Sequence, residues 1–234
     1  MIFVGNGSFL KNAILHTLKN GYKIDSVYSE SAELAKLCNE NRIDFKIGNV
    51  NEEYKNIEQK CNDKILFSIN NGQILRKPLL SLEGFRFYNI HNGILPYYRG
   101  LPAVCIIYAI LNNEKEYGIS LHEIDDGIDT GKCLDILTFP IEEKDTFQSI
   151  MLKSIDYCNR MFYKHLNIIV NNTKYKEFKI DKSKSKLYSF SQLSQLHQYK
   201  NHPKIKQATN LGVFKAWFKR AADIISAQLN EVSY

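Results

Sequence analysis

Apolar positions alternate between two periods along the first two thirds of the chain. Met1–Gly5 is a short apolar run closing on Gly5-Asn6-Gly7-Ser8-Phe9, after which Ala13, Ile14, Leu15 and Leu18 stand at helical spacing up to Asn20-Gly21. The pattern then predicts a strand at Tyr22–Tyr28, a helix over Ser31–Asn41 with Ser31 as its N-cap, a strand at Ile43–Ile47, a helix over Val50–Lys60 and a strand at Ile65–Ile69. Phe85–His91 is the next strand, and Pro102 suits the first position of a helix running to Asn112. Strands at Tyr117–Ile124 and Lys132–Phe139 follow, and then a long amphipathic helix over Phe147–Asn171 with Asp145-Thr146 as its cap. Such alternation predicts an α/β fold, a doubly wound, mostly parallel sheet with helices on both faces.

Beyond residue 172 the pattern changes. A lysine-rich stretch carries Lys174, Lys176, Lys179, Lys182, Lys184 and Lys186, and helical spacing returns over Tyr188–Leu196 and Leu211–Leu229. The division expected is a core over 1–172 and a short, largely helical C-terminal addition over 173–234. The Phe214–Phe218 cluster there suits either a subunit interface or packing onto the chain's own core.

The candidate chemistry lies between Phe87 and Gly131. Asn89 and His91 are two apart in a predicted strand, so their side chains share a face at its carboxyl end. His91 can move a proton near neutral pH, Asn89 can donate to a developing oxyanion, and Asp129 can stabilise a charged imidazole. The set holds no nucleophile. It therefore favours direct acyl transfer to an incoming amine over a covalent intermediate. Asp125 and Asp126 before Gly127 read as turn formers.

The pattern Asn-x-His-x-x-x-Leu-Pro-x-x-Arg-Gly from Asn89, followed by Asp-x-Gly-x-Asp-Thr-Gly from Asp125, resembles the signature of the folate-dependent formyltransferase superfamily. That superfamily includes glycinamide ribonucleotide formyltransferase, methionyl-tRNA formyltransferase and the sugar N-formyltransferases. The resemblance covers roughly residues 1–170 and implies a Rossmann-like core with Asn89, His91 and Asp129 as the catalytic residues. It implies N10-formyltetrahydrofolate as donor, bordered by Ile74, Leu75, Leu95, Asp126 and Gly127. Gly93 departs from it, since many members carry Ser there. His122 is either a structural histidine, as a lone one in a strand commonly is, or the counterpart of a family histidine close to the trio.

An amine acceptor is expected near Asn6, Ser8, Lys11, Tyr98 and Arg99. Gly5-x-Gly7 is either a tight turn or a phosphate-binding loop; the third glycine of a dinucleotide fingerprint is missing, Leu10 standing in its place. Tyr97 and Tyr98 are either lid aromatics or packing residues. Arg99 either orients its loop or meets an anion. The tail is too short, and too helical, for the RNA-binding barrel of methionyl-tRNA formyltransferase, and longer than a minimal glycinamide ribonucleotide formyltransferase carries. The best-fitting acceptor is therefore a dTDP- or UDP-linked amino sugar for surface polysaccharide such as lipopolysaccharide O-antigen. The other acceptors, or a non-catalytic folate- or nucleotide-binding module, are the alternatives. A homodimer through the C-terminal region is a further expectation.

Composition adds bounds. At 234 residues and 44% hydrophobic the chain can bury a sizeable core. No run approaches a membrane helix and no signal peptide is evident, so a cytoplasmic protein is expected. The five cysteines are scattered without Cys-x-x-Cys spacing, and no carboxylate–histidine set has ligand spacing, so neither disulfides nor a metal are expected. A net charge of +6 specifies no nucleic-acid partner.

Overall fold

The computed structural model of the chain describes residues 1–175 and 180–229. Its elements in chain order are β1 (Ile2–Gly5), α1 (Gly7–Lys19), β2 (Ser26–Tyr28), α2 (Ala32–Glu40), β3 (Asp44–Lys46), α3 (Tyr54–Lys60), β4 (Ile65–Ile69) and β5 (Arg86–His91). Then come β6 (Arg99–Gly100), α4 (Pro102–Leu111), β7 (Glu116–Glu123), β8 (Cys133–Pro140), α5 (Phe147–Val170), β9 (Leu187–Tyr188), α6 (Phe190–Leu193), α7 (Ile205–Thr209) and α8 (Lys219–Leu229). Seven strands form one sheet in the order β3-β2-β1-β4-β5-β7-β8, with β1 parallel to β2 and β4, β2 to β3, and β4 to β5. This is the doubly wound α/β arrangement that the alternating periods predict.

Three elements depart from expectation. β2 starts at Ser26 rather than Tyr22, because Tyr22 N bonds back to Thr17 O and its hydroxyl reaches Asn167, which uses that stretch to close the helix end. The helix expected over Val50–Lys60 opens as a 3-10 turn at Val50–Glu53 before α3. The tail is broken into short pieces: Leu187–Tyr188 is a strand paired with Arg99–Gly100, and Ser189 starts α6 with a reciprocal cap to Gln192. The expected lysines at 176 and 179 lie outside the described residues.

The contacts divide the chain into two compact units. One comprises Met1–Ile90, Leu121–Asp135 and Cys158–Phe178. Here strand side chains alternate between two apolar layers: Ile2, Val4, Leu66 and Phe87 pack with Tyr28, Ile57 and Leu79, while Phe3 and Phe67 meet Phe162 of α5. At the end of β1 a Cβ on Gly5, at φ +142°, would collide with the Ile69 carbonyl. A glycine is required there by the close approach of two strand ends, whatever the α1 N-terminus binds.

The other unit comprises His91–Ser120, Ile136–Tyr157 and Lys179–Tyr234. Its centre is α4, apolar on every side and buried from Ala103 to Leu111. The first part of α5 and tail residues Tyr188, Leu193, Leu196, Ala208, Leu211 and Ile225 cover it.

Candidate active site

Strand β5 runs parallel to β4 with Ser68 opposite Asn89, and it delivers Asn89, half-buried, and His91, 4% exposed, two residues apart at its carboxyl end. The chain then turns. Gly93 N donates to His91 O, and the buried Ser120 of β7 ties the turn at both ends, donating to Gly93 O at 2.8 Å and accepting from Leu95 N at 3.0 Å. No motif marks Ser120, a single hydroxyl in a strand that also carries Glu116, His122 and Glu123.

His91 Nε2 lies 2.6 Å from the backbone carbonyl of Tyr98. A carbonyl only accepts, so Nε2 carries a proton in this arrangement, and in the neutral ring Nδ1 is the basic nitrogen. Asp129 stands at φ +52°, a left-handed conformation that Asp tolerates better than bulkier residues. Its Oδ1 lies 3.5 Å from His122 Nε2, and His122 Nδ1 donates to Glu123 O at 2.7 Å. The contact between Asp129 and His122 is an ion pair when that ring is doubly protonated.

The turn leading to Asp129 is built by Asp125, whose Oδ1 accepts from Gly127 N and Thr130 Oγ1. Asp126 forms an exposed ion pair with Lys77 at 3.0 Å, of the kind worth at most about 1 kcal/mol. In the loop after β4, Asn71 bonds Ser68 and Gln73, Ile74 is exposed, and Leu75 is buried in an apolar layer. Leu95 is buried as well.

Among the residues expected to face an acceptor, Asn6 accepts from Ser29 Oγ and Glu30 N, Ser8 is exposed, and Lys11 pairs with Glu33. Arg99 donates to Ser185 Oγ at 2.9 Å. Tyr98 is 5% exposed, its hydroxyl donating to Glu114 and accepting from Asn112, and burial pushes its phenol far above the ordinary range. The ring stays neutral and packs in the core; Tyr97 is the exposed one of the pair. Burial also pushes the thiols of Cys38 and Cys133 up to about 11, so neither is a thiolate at neutral pH.

The family model described as "Formyl transferase" matches residues 1–165. The chain belongs to the formyl transferase family. Among solved structures of similar fold is WlaRD, a sugar 3N-formyl transferase crystallised with dTDP and 5-N-formyl-THF. It is 28% identical at a TM-score of 0.64, over 82% of this chain and 69% of that one. The N-formyltransferase of Helicobacter canadensis, crystallised with folinic acid and dTDP-3-aminofucose, is 29% identical at a TM-score of 0.66, over 81% of this chain and 70% of that one. The methionyl-tRNA formyltransferase of Buchnera aphidicola subsp. Acyrthosiphon pisum is 32% identical over 130 residues, 55% of this chain. That alignment spans 41% of the Buchnera protein, less than half of its length. Among the described residues no group of His, Cys, Asp and Glu could hold a metal ion, and no helix is long and apolar enough to cross a membrane.

Proposed function

We propose that this formyl transferase family member moves a formyl group from N10-formyltetrahydrofolate to the primary amine of a nucleotide-linked amino sugar. The observation that carries the reading is the trio Asn89, His91 and Asp129, standing in the family's order in a chain whose N-formyltransferase neighbours, crystallised with dTDP or a dTDP-linked amino sugar, align over about four fifths of its length.

Asn89 donates a hydrogen bond to the oxyanion that forms as the amine nitrogen attacks the formyl carbon. His91 moves the proton lost by the amine, and Asp129 stabilises positive charge on the histidine side of the reaction. The bond from the formyl carbon to N10 then breaks, N10 takes a proton, and tetrahydrofolate and the N-formyl sugar result. The donor would lie along Ile74, Leu75, Leu95, Asp126 and Gly127, those buried contributing backbone groups and shape. Acceptor contacts would come from Asn6, Ser8, Lys11 and Arg99, while Tyr98, packed in the core, would support the loop that carries Arg99.

A cytoplasmic enzyme supplying a dTDP- or UDP-linked building block for surface polysaccharide fits this chemistry. Self-association through the tail is part of the same reading, because Trp217, 74% exposed, lines an apolar recess with Val104, Phe190 and Phe218.

The likeness to methionyl-tRNA formyltransferase supports a second acceptor. The deciding experiment is turnover of N10-formyltetrahydrofolate with dTDP-, UDP- and GDP-linked 3-amino and 4-amino sugars, with methionyl-tRNA and glycinamide ribonucleotide alongside, products read by mass. One formyl added to one sugar supports the reading. Transfer only to tRNA or to the ribonucleotide overturns it.

A further inference from the structure

We infer that the C-terminal segment is a clamp that sets the tautomer and orientation of His91, acting through the backbone carbonyl of Tyr98. The inference rests on the proposed function for its kinetic consequence, though not for its structural content.

Four observations lead to it. Residues 96–101 are bracketed by the tail: Lys186 N donates to Pro96 O at 3.1 Å, Arg99 N to Lys186 O at 3.0 Å, and Leu101 N to Tyr188 O at 2.9 Å. Within that bracket the Tyr98 and Tyr188 rings lie face to face, 5.0 Å apart and 6° from parallel. Asn112 anchors both hydroxyls, at 3.0 Å and 3.4 Å. Finally, the Tyr98 carbonyl so held takes the hydrogen bond of His91 Nε2 at 2.6 Å.

The contact also depends on residue 93 having no side chain. A Cβ on Gly93 would collide with the Tyr98 carbonyl and come within 2.6 Å of His91 Nε2. The catalytic turn has thus been left open for the carbonyl and the imidazole to meet. Because Nε2 must be the donor, the neutral ring is held with Nδ1 basic, and its plane is fixed by a loop that the tail holds. Tyr188 and Gly93 are positioning residues in this arrangement, neither touching substrate.

Nitrogen-15 NMR of histidine-labelled protein without substrate reads the tautomer directly. The clamp predicts that His91, read at a pH where the ring is neutral, carries its proton on Nε2, and that Tyr188→Leu and Gly93→Ala show mixed tautomers. Tyr188→Phe, which keeps the stacked ring, should match the unmodified protein. In turnover, Tyr188→Leu and Gly93→Ala should lower kcat about tenfold to a hundredfold and move its pH profile, with KM little changed. Tyr188→Phe should restore both. A neutral His91 protonated on Nδ1 overturns the clamp, as does a folded Tyr188→Leu or Gly93→Ala with unaltered tautomer and kcat. Should Tyr188→Leu fail to fold, Gly93→Ala and the spectrum of the unmodified protein still decide. If no acceptor is formylated, the functional reading falls and the spectrum still decides the clamp.

Discussion

At the residue scale the chemistry reduces to which side chains are charged and what holds them. His91→Asn and Asp129→Asn are expected to cut formyl transfer by about 10²–10⁴, with melting temperatures close to the parent. Asn suits position 129 because it tolerates the φ of +52° there, so a loss of rate would not be a loss of fold. A steady-state assay beside thermal melts checks this; unchanged rates would remove both residues from the mechanism. A second prediction concerns His165 on α5, which is buried, its Nε2 bonded to Asp135 and its Nδ1 to the Tyr175 hydroxyl, with Lys164 on the same carboxylate. Burial lowers the pKa of His165 despite the opposing pull of Asp135. The unfolded chain therefore binds this proton at higher pH than the folded one, and stability falls as pH drops through the ordinary histidine value of about 6.5. His165→Gln should flatten the dependence of melting temperature on pH between 7.5 and 5.5, values chosen to straddle that pKa. A parent protein equally stable at both would refute the sign.

At the element scale, caps and periods explain most of what forms. The start of α5 carries a reciprocal cap: Ser149 N donates to Thr146 Oγ1 and Thr146 N to Ser149 Oγ, while Ser149 Oγ donates to Asp145. Thr146→Ala should cost about 1 kcal/mol in denaturant unfolding. An unaltered midpoint would mean that packing of the helix, not its cap, sets its start. The Asp145-Thr146 part of this cap was legible in the sequence because it adjoins the helix start, as were the strands β1, β4 and β5, whose apolar runs are local; the reciprocal bond from Ser149 was not. The length of β2 and the breaks in the tail were not. Tyr22 leaves the strand for long-range bonds to Thr17 and Asn167, and the two-residue strand β9 exists only because Arg99–Gly100 offers it an edge.

At the scale of the whole molecule, the tail is structural. Tyr188, Leu193, Leu196, Leu211 and Ile225 are buried over α4. At about 1.5–3 kcal/mol for each fully buried side chain, their loss rivals the ~5–15 kcal/mol by which a domain is stable. A chain ending at residue 180 should therefore bind a hydrophobic dye and lack a cooperative melt; a sharp melt would show that the core stands without it. Trp217 is the sole tryptophan and is 74% exposed, so its emission should be that of a solvated indole in dilute protein and shift to the blue if copies associate through this face. From the sequence alone came the alternating sheet and helices, the order of Asn89, His91 and Asp129, and the family they resemble. These depend on spacing along the chain, and spacing is what a sequence records. The tertiary structure alone decided that Tyr98 is a core residue, that Leu75 is buried, that Asp129 faces His122, and that His91 meets a carbonyl held by the tail. Those outcomes depend on which distant backbone group arrives at a given atom. Carbonyl groups carry no residue identity, so no motif announces them.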